Sequence, residues 1–108
     1  MESSLRKNDH FAVNFLSADQ ESLSRHFAGG RGNENPPPVH FVSWSNTPRL
    51  TGCLGAVACR VHTTFDGGDH QIVVGIVEDI YLDDSQKRPL LFWKGQYHAL
   101  SEPVALDK

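Results

Sequence analysis

The longest patterned stretch of the sequence is a pair of apolar segments joined by a glycine-rich turn, residues 55–82. Residues 55–65 alternate apolar and more polar side chains, which is typical of a strand with one buried face. Residues 66–69 (DGGD) have the composition of a hairpin turn. Residues 71–82 are almost continuously apolar, so we expect them to be covered on both faces. The stretch therefore predicts a long hairpin, in which Gly75 marks a bulge or a close approach by another backbone or a ligand.

Shorter segments on either side predict further strands. Residues 10–16 (HFAVNFL) are apolar, aromatic and β-branched, a composition typical of a strand. Residues 39–44 predict a short strand after three consecutive prolines. Residues 90–93 and 97–100 flank a three-residue connection and predict a second hairpin.

One helix is predicted between the first strand and the prolines. Ser17 and Gln20 have the spacing of a capping box, which predicts a helix over residues 18–28 with Leu23 and Phe27 on its apolar stripe. Glycines end this helix, and residues 29–38 (GGRGNENPPP) predict an irregular surface loop. Strands joined by short turns, with one early helix, predict a mainly β fold, a small antiparallel barrel.

Length and charge limit the class of protein. The chain has 108 residues, which is the size of one domain. With 10 Lys and Arg against 13 Asp and Glu, its net charge of −3 argues against a nucleic-acid partner. No apolar run approaches the roughly 18 residues of a membrane span, and the glycine motifs of dinucleotide and P-loop sites do not occur. We expect one cytoplasmic domain, residues 1–108, that binds no nucleic acid and no membrane.

Two cysteines and six histidines are the residues to test for nucleophilic or metal chemistry. Cys53 and Cys59 fall in a segment that predicts a strand, which would separate them by about 20 Å, too far for a disulfide. We interpret both as buried apolar side chains. The histidines form no H-E-x-x-H pattern or other tight ligand pair, and we predict no metal site.

Asn14 and His70 are polar residues at positions that suit either a structural or a ligand-binding role. Asn14 interrupts an apolar strand, and a buried amide either bridges backbone groups or contacts a polar ligand. His70 lies at the mouth of the predicted hairpin, where its imidazole either caps its own loop or hydrogen-bonds a ligand phosphate or amide. The residues alone favour the structural role at both positions.

Five short segments share an order and spacing with a known family. They are residues 11–16 (FAVNFL), 19–20 (DQ), 25–28 (RHFA), 68–70 (GDH) with Gly75 five residues later, and 89–97 (PLLFWKGQY). Together they resemble the flavin reductase-like family, the FMN-binding split-barrel reductases of two-component monooxygenases. The resemblance covers about residues 9–100, and Phe92 and Trp93 stand where the family more usually has a pair of tyrosines.

The resemblance implies a small antiparallel split β-barrel with one inserted α-helix and an NAD(P)H:flavin oxidoreductase activity. Hydride would pass from NADH or NADPH to N5 of FMN or FAD. His70 would help to position the nicotinamide dinucleotide, and Asn14 would lie near the flavin. Lys94 and Tyr97 fall where the family often has Arg and Tyr beside the cofactor. A homodimer and a monooxygenase that receives reduced flavin are the implied partners.

One departure from the family concerns length. Family domains run to roughly 150 residues or more, and they begin with a T-G-V-type segment and an S-S-x-S stretch before P-P, which have no counterpart here. We therefore expect the chain to correspond to the C-terminal two-thirds of the domain, incomplete at the N-terminus. The alternative function is a non-catalytic split-barrel fragment that acts as a flavin-binding or dimerisation module.

Overall fold

The described part of the chain folds into three antiparallel sheets and one short helix. The computed structural model describes residues 5–29 and 37–101, so most of the predicted loop at 29–38 lies outside the described residues. The elements are β1 (His10–Phe15), α1 (Glu21–Phe27), β2 (Phe41–Trp44), β3 (Thr47–Leu50), β4 (Gly55–Gly67), β5 (His70–Leu82), β6 (Leu90–Trp93) and β7 (Gln96–Ala99). The predicted mainly β, antiparallel fold with one helix is confirmed.

The main sheet has the strand order β1–β4–β5, with both pairs antiparallel. β4 and β5 form the long hairpin that the sequence predicts. Its two-residue turn contains Gly68 at φ +74°, a left-handed conformation that a glycine adopts without a Cβ clash. A second hairpin, β6–β7, turns through Lys94 and Gly95, which both have positive φ.

Gly75 lies in a tightly packed part of this sheet, close to the side chains of Phe11 and Cys59. The β4–β5 register shifts between Val61 and Thr63, directly across from Gly75, so the predicted bulge is confirmed. A Cβ on Gly75 would lie 2.8 Å from Cζ of Phe11. The close approach is therefore made by an aromatic side chain of β1 and not by a backbone or a ligand.

β3 is an element that the sequence analysis missed. Ser45 and Asn46 have φ of +51° and +62°, so β2 and β3 join through a tight two-residue turn of the kind that matches strand twist. The resulting hairpin packs on the main sheet and closes the core. Buried Leu50, Cys53 and Ala56 form the centre of this core, and Leu16, Val39, Trp44 and Tyr81 pack against them.

The helix begins later than the sequence predicts. A single 3-10 turn, Ala18–Gln20, precedes α1, and the capping box at its start is present. The Ser17 amide donates to Oε1 of Gln20 at 2.9 Å, and the Gln20 amide donates to the Ser17 carbonyl at 2.9 Å. These bonds satisfy backbone groups that a helix start otherwise leaves unpaired.

Only part of the predicted apolar stripe of α1 is buried. Leu23 is 8% exposed, whereas Phe27, the last residue of the helix, is 55% exposed. Phe27 is therefore not on the buried stripe, and that prediction is wrong. In the residues that the structure describes, no helix is long and apolar enough to cross a membrane.

β5 is not covered on both faces by the described residues, so that prediction is wrong within this chain. β5 is an edge strand, and Ile80 and Leu82 are 61% and 78% exposed. Directly paired side chains share one face of a sheet. Three such rows cross the main sheet and define a surface that we call the apolar face: Phe11–Cys59–Val77, Val13–Val57–Ile80 and Phe15–Gly55–Leu82.

Candidate functional site

An open hollow lies along the β2–β3 hairpin. Its volume is about 380 Å³, and it is lined by Phe41, Val42, Ser43, Asn46, Thr47 and Pro48. This volume is in the range of small-molecule sites, which usually combine apolar walls with a few polar groups. The lining has that character, because two apolar side chains and a proline alternate with hydroxyl and amide groups. The hollow is therefore a candidate ligand site.

Asn14 holds one wall of the hollow in place. Its Nδ2 donates to the Pro48 carbonyl at 3.5 Å, and its Oδ1 accepts from the Leu50 amide at 3.0 Å. The side chain is half-buried on β1, and both ends of its amide are directed at the backbone of β3. Of the two roles that the sequence left open for Asn14, the structure shows the bridging of backbone groups.

Arg49, which the sequence analysis did not single out, lies directly across β2–β3 from Val42 of the hollow. Its guanidinium carbon is 3.7 Å from the centre of the Tyr81 ring and 5.8 Å from that of Trp44. Its Nε is buried without a hydrogen-bond partner. In the sequence, the one feature that could have drawn attention to Arg49 is a positive charge between Pro48 and Leu50, and Leu50 lies in the core. The segment around it has no clear strand pattern.

The β6–β7 hairpin joins the same end of the main sheet. The Leu90 amide donates to the carbonyl of Leu16, just beyond β1, at 3.0 Å. Tyr97 on β7 has its hydroxyl 2.9 Å from Oγ of Ser24, and Arg25 lies over its ring at 4.7 Å. Lys94 is exposed at the turn. Tyr97 therefore packs on α1, while the exposed Lys94 has its Nζ 5.8 Å from the centre of the Trp93 ring.

His70 lies at the opposite end of the sheet from Asn14. Asn14 pairs with Ala56 at one end of β4, and His70 pairs with Gly67 at the other end. At about 3.3 Å per residue, the stretch of β4 from Ala56 to Gly67 spans roughly 36 Å. Nδ1 of His70 is 2.6 Å from a carboxylate oxygen of Asp69, and its side chain is 78% exposed. The structure thus does not bring the predicted nicotinamide residue and the predicted flavin residue together within one chain.

The cysteines supply no activated nucleophile. Cys53 and Cys59 are both unbridged and buried, as the sequence predicts. Burial raises the pKa of the Cys59 thiol, and the negative charge of Glu78 raises it further, so this thiol stays protonated at neutral pH. Within residues 5–29 and 37–101, no group of three or more His, Cys, Asp or Glu side chains is arranged to hold a metal ion.

Comparison with known proteins places this geometry in a family. Residues 1–101 match the family described as flavin reductase like domain. The chain is 36% identical over 100 residues to an NADH-dependent flavin reductase of a Rhodococcus species, which is 93% of this chain and 54% of that protein. It is 36% identical over 93 residues to the reductase component of 4-hydroxyphenylacetate 3-monooxygenase from Thermus thermophilus, covering 86% of this chain and 56% of that protein.

A solved structure shares the fold. The flavin reductase PheA2 in its native state superposes with a TM-score of 0.75 at 38% identity, over 84% of this chain and 57% of that chain. The chain spans about half the length of the curated relatives that it matches. Its mainly β, antiparallel architecture is that of the flavin reductase split barrels. The chain therefore belongs to the flavin reductase like domain family.

Proposed function

We propose that the protein is an NAD(P)H:flavin oxidoreductase that binds FMN or FAD and supplies reduced flavin to a monooxygenase. The observation that carries this proposal is the family match over residues 1–101, together with the open hollow on the β2–β3 hairpin. The names of the relatives support it, because one is an NADH-dependent flavin reductase and another is a monooxygenase reductase component.

The residues around the hollow fit a flavin nucleotide. Such a ligand has a flat ring system that needs apolar walls, a polar chain, and at least one phosphate. Phe41 and Val42 supply apolar walls, and Ser43 and Asn46 supply hydrogen-bonding groups. Arg49 does not line the hollow but pairs with Val42 across the hairpin. When bound, the flavin supplies the hydride-accepting centre of the reaction. In this proposal Asn14 keeps the wall at Pro48 fixed, and Lys94 and Tyr97 approach from the β6–β7 hairpin.

A second copy of the chain completes the site in this proposal. His70 is the residue assigned to the nicotinamide dinucleotide, yet it lies roughly 36 Å along β4 from the Asn14 end of its own sheet. In a twofold dimer, the hairpin tip of one copy is free to reach the Asn14 end of the other. The exposed apolar face gives such a dimer its contact surface. We place the dimer in the cytoplasm, where free buried cysteines such as Cys53 and Cys59 are usual.

A His70→Ala variant tests the proposed role of this side chain. We expect kcat/KM for NADH or NADPH to fall about ten- to a hundredfold, because a hydrogen bond to a charged phosphate contributes about 1.5–3 kcal/mol. Flavin affinity, measured by quenching of flavin fluorescence, should stay within about twofold of wild type on the same reasoning. The matched control is His62→Ala, which removes another exposed histidine of the same hairpin.

The assay also separates the two candidate functions. A chain that binds FMN or FAD but does not oxidise NADH or NADPH with the bound flavin is a binding module, and the reductase proposal is then wrong. If His70→Ala leaves the kinetics with NADH and NADPH unchanged but lowers the melting temperature, His70 stabilises its own turn and does not bind the dinucleotide.

A further inference from the structure

We propose that the outer edge of β5 pairs with β5 of a second copy, antiparallel and about a twofold axis at Ile76. This inference rests on the proposed function, because it states how a second copy brings its His70 to the Asn14 end of the first. It goes beyond contact through the apolar face, because it assigns the strand, the register and a site shared between the copies.

The outer edge of β5 carries exposed apolar side chains on both faces. The strand has 13 residues, and within residues 5–29 and 37–101 only β4 pairs with it. Three exposed apolar side chains lie on the apolar face and three on the opposite face: Val77, Ile80 and Leu82, then Ile72, Val74 and Ile76. Packing against the apolar face alone leaves the second group exposed. A strand added along the edge gives neighbours to both groups, because cross-strand pairs form on each face of a sheet.

The bulge at Glu78 limits the registers of such a pair. Glu78 is an extra residue between Val77 and Asp79, which pair with consecutive residues of β4, so the alternation between the two faces shifts by one here. In an antiparallel pair of identical strands the twofold axis is perpendicular to the sheet, so the apolar face of one copy continues into that of the other. Paired residues then share a face only when the axis lies at a residue position, and an axis at Ile76 meets this condition.

An axis at Ile76 also gives the paired positions suitable neighbours. Counted outward from the axis, Gly75 lies opposite Val77 of the other copy and Val73 lies opposite Ile80, so the apolar rows continue across the edge. At the axis, Ile76 pairs with the same residue of the other copy. An axis at Gly75 instead sets two glycines at the centre, where neither has a side chain to pack.

The charge of Glu78 does not oppose this pairing. Two copies of this residue come close to the axis, where like charges repel each other. Each carboxylate is already paired within its own chain: Oε2 accepts from Nε of Arg60 at 2.9 Å, and Oε1 lies 3.4 Å from Nε2 of His10. The bulge therefore turns the acidic side chain toward β4 and β1 and away from the outer edge.

The end of β5 supplies a partner for His70. In this register Asp83, one residue beyond β5, lies opposite His70 of the other copy. Hydrogen bonds from the Ser85 hydroxyl and amide lower the pKa of the Asp83 carboxyl, so this group is ionised at neutral pH. A carboxylate opposite an imidazole is a favourable cross-strand pair and helps to fix the register.

Pairing in this register forms a shared site. Within one chain, His70 lies roughly 36 Å along β4 from the Asn14 end of the sheet. In the pair, His70 of one copy lies three strand spacings across and two residues along from Asn14 of the other, roughly 16 Å away. Both residues are on the face opposite the apolar face, where Asn14 contacts β3. The register thus brings the residues assigned to the two cofactors to one end of the joined sheet.

Disulfide trapping tests the register. Reduced chains are oxidised and separated on a non-reducing gel. Ile76→Cys should form a linked dimer, because paired residues of an antiparallel ladder have Cα atoms about 4.5–5.5 Å apart, within disulfide range. Val74→Cys is the matched control: it has similar exposure on the same face, 42% against 39%, but lies roughly 13 Å from the same residue of the other copy. The wild-type chain controls for the buried Cys53 and Cys59.

A mixture of two variants tests the register independently of Ile76. Val73→Cys and Ile80→Cys should not crosslink alone, because each position lies roughly 20 Å from its own equivalent, but an equal mixture should give a linked dimer. This mixture decides the question if circular dichroism shows that Ile76→Cys does not fold. Crosslinking of Val74→Cys as efficient as that of Ile76→Cys overturns the pairing. So does a mixture that gives no linked dimer.

Mixed dimers test the shared site. His70→Ala and Asn14→Leu are each expected to oxidise NADH poorly, the second because it loosens the Pro48 wall of the hollow. In a shared site, a mixed dimer has one site with both substitutions and one with neither, so an equal mixture should regain about a quarter of wild-type activity. No gain on mixing shows that each chain holds its whole site and overturns the sharing.

The two proposals fail in different ways. A chain that forms the Ile76→Cys disulfide but binds neither FMN nor FAD contradicts the proposed function, while the strand pairing remains. A wild-type chain that oxidises NADH with FMN or FAD but sediments as a monomer contradicts the strand pairing, while the reductase activity remains.

Discussion

Asn14 couples two sheets through one side chain. Its amide accepts from the Leu50 backbone and donates toward the Pro48 backbone, so β1 of the main sheet holds β3 of the neighbouring hairpin. The contact to Leu50, at 3.0 Å, is the stronger of the two, since the 3.5 Å contact to Pro48 is at the limit of a hydrogen bond. The position of the Pro48 wall of the hollow therefore depends on a residue that does not line it.

Substitutions of Asn14 should destabilise the fold, and the loss should be smaller where the new side chain still accepts the hydrogen bond from the Leu50 amide. We expect Asn14→Leu to lower the free energy of unfolding by about 1–3 kcal/mol, because the Leu50 amide loses its partner. Asn14→Asp keeps that acceptor and should cost less. Urea denaturation followed by circular dichroism measures both variants. Equal losses in the two variants, or none, would show that the bond to Leu50 does not hold β3 in place.

Single residues differ in how far the sequence identified them. Asn14 stood out because a polar side chain interrupted an apolar strand, and His70 because a glycine-rich turn preceded it. Arg49 did not stand out, because its significance comes from Tyr81, which lies far away in the chain and stacks on it only after folding. The sequence also could not show that Asn14 and His70 lie at opposite ends of β4.

At the scale of elements, the neighbours of a strand decide which of its side chains are buried. Alternation along residues 55–65 predicted Val57, Cys59 and Val61 on the buried face and Ala58 on the more polar one. The structure buries Ala58 as well as Cys59 and Val61, and it leaves Val57 half-buried. β4 passes from a region where β2–β3 covers one face to a region where Phe11 covers the other. Periodicity predicted the strand correctly but not this change of buried face, which depends on neighbouring elements.

Gly75 offers a test of the packing between β1 and β5. In Gly75→Ala the new Cβ would lie 2.8 Å from Cζ of Phe11 and 3.2 Å from Cβ of Cys59, so we expect a loss of about 1–3 kcal/mol in the free energy of unfolding. In a Phe11→Leu background the same change should cost less, because the ring is absent. Urea midpoints of the four chains give the coupling free energy.

Gly67→Ala is the matched control for this cycle. Its added Cβ would lie 3.2 Å from Cδ1 and Cγ1 of the flexible Ile72 side chain and at ordinary contact distance, 3.5 Å, from the His70 carbonyl oxygen, and Gly67 does not have a positive φ. We expect a smaller loss than at Gly75. Strictly additive effects of Gly75→Ala and Phe11→Leu would contradict the contact between the Phe11 ring and this glycine.

At the scale of the whole molecule, hydrophobic patterning predicted that the apolar side chains of β5 are covered. It could not show whether the same chain or another chain covers them. The near-continuous apolar run of β5 correctly identified a strand. The expectation of two covered faces assumed that the cover lies in the same chain, whereas Ile80, Leu82 and Phe15 are largely exposed. Among the residues that the structure describes, β5 has no further strand paired to its outer edge, and an exposed, contiguous apolar surface beside such an edge is typical of an interaction site. This surface is the structural basis of the proposed homodimer.

A charge on the apolar face should separate the dimer. We expect the wild-type chain to sediment as a dimer at tens of micromolar, and Ile80→Lys to shift it to a monomer, because an unpaired ammonium in an apolar contact is strongly unfavourable. Ile72→Lys is the matched control: Ile72 lies on the same strand with similar exposure, 53% against 61%, but by the strand register on the opposite face. A monomeric wild type, or equal dissociation by both lysines, would contradict a dimer formed through the apolar face. Loss of NADH oxidation with Ile80→Lys but not with Ile72→Lys would further connect the dimer to the distance between His70 and Asn14.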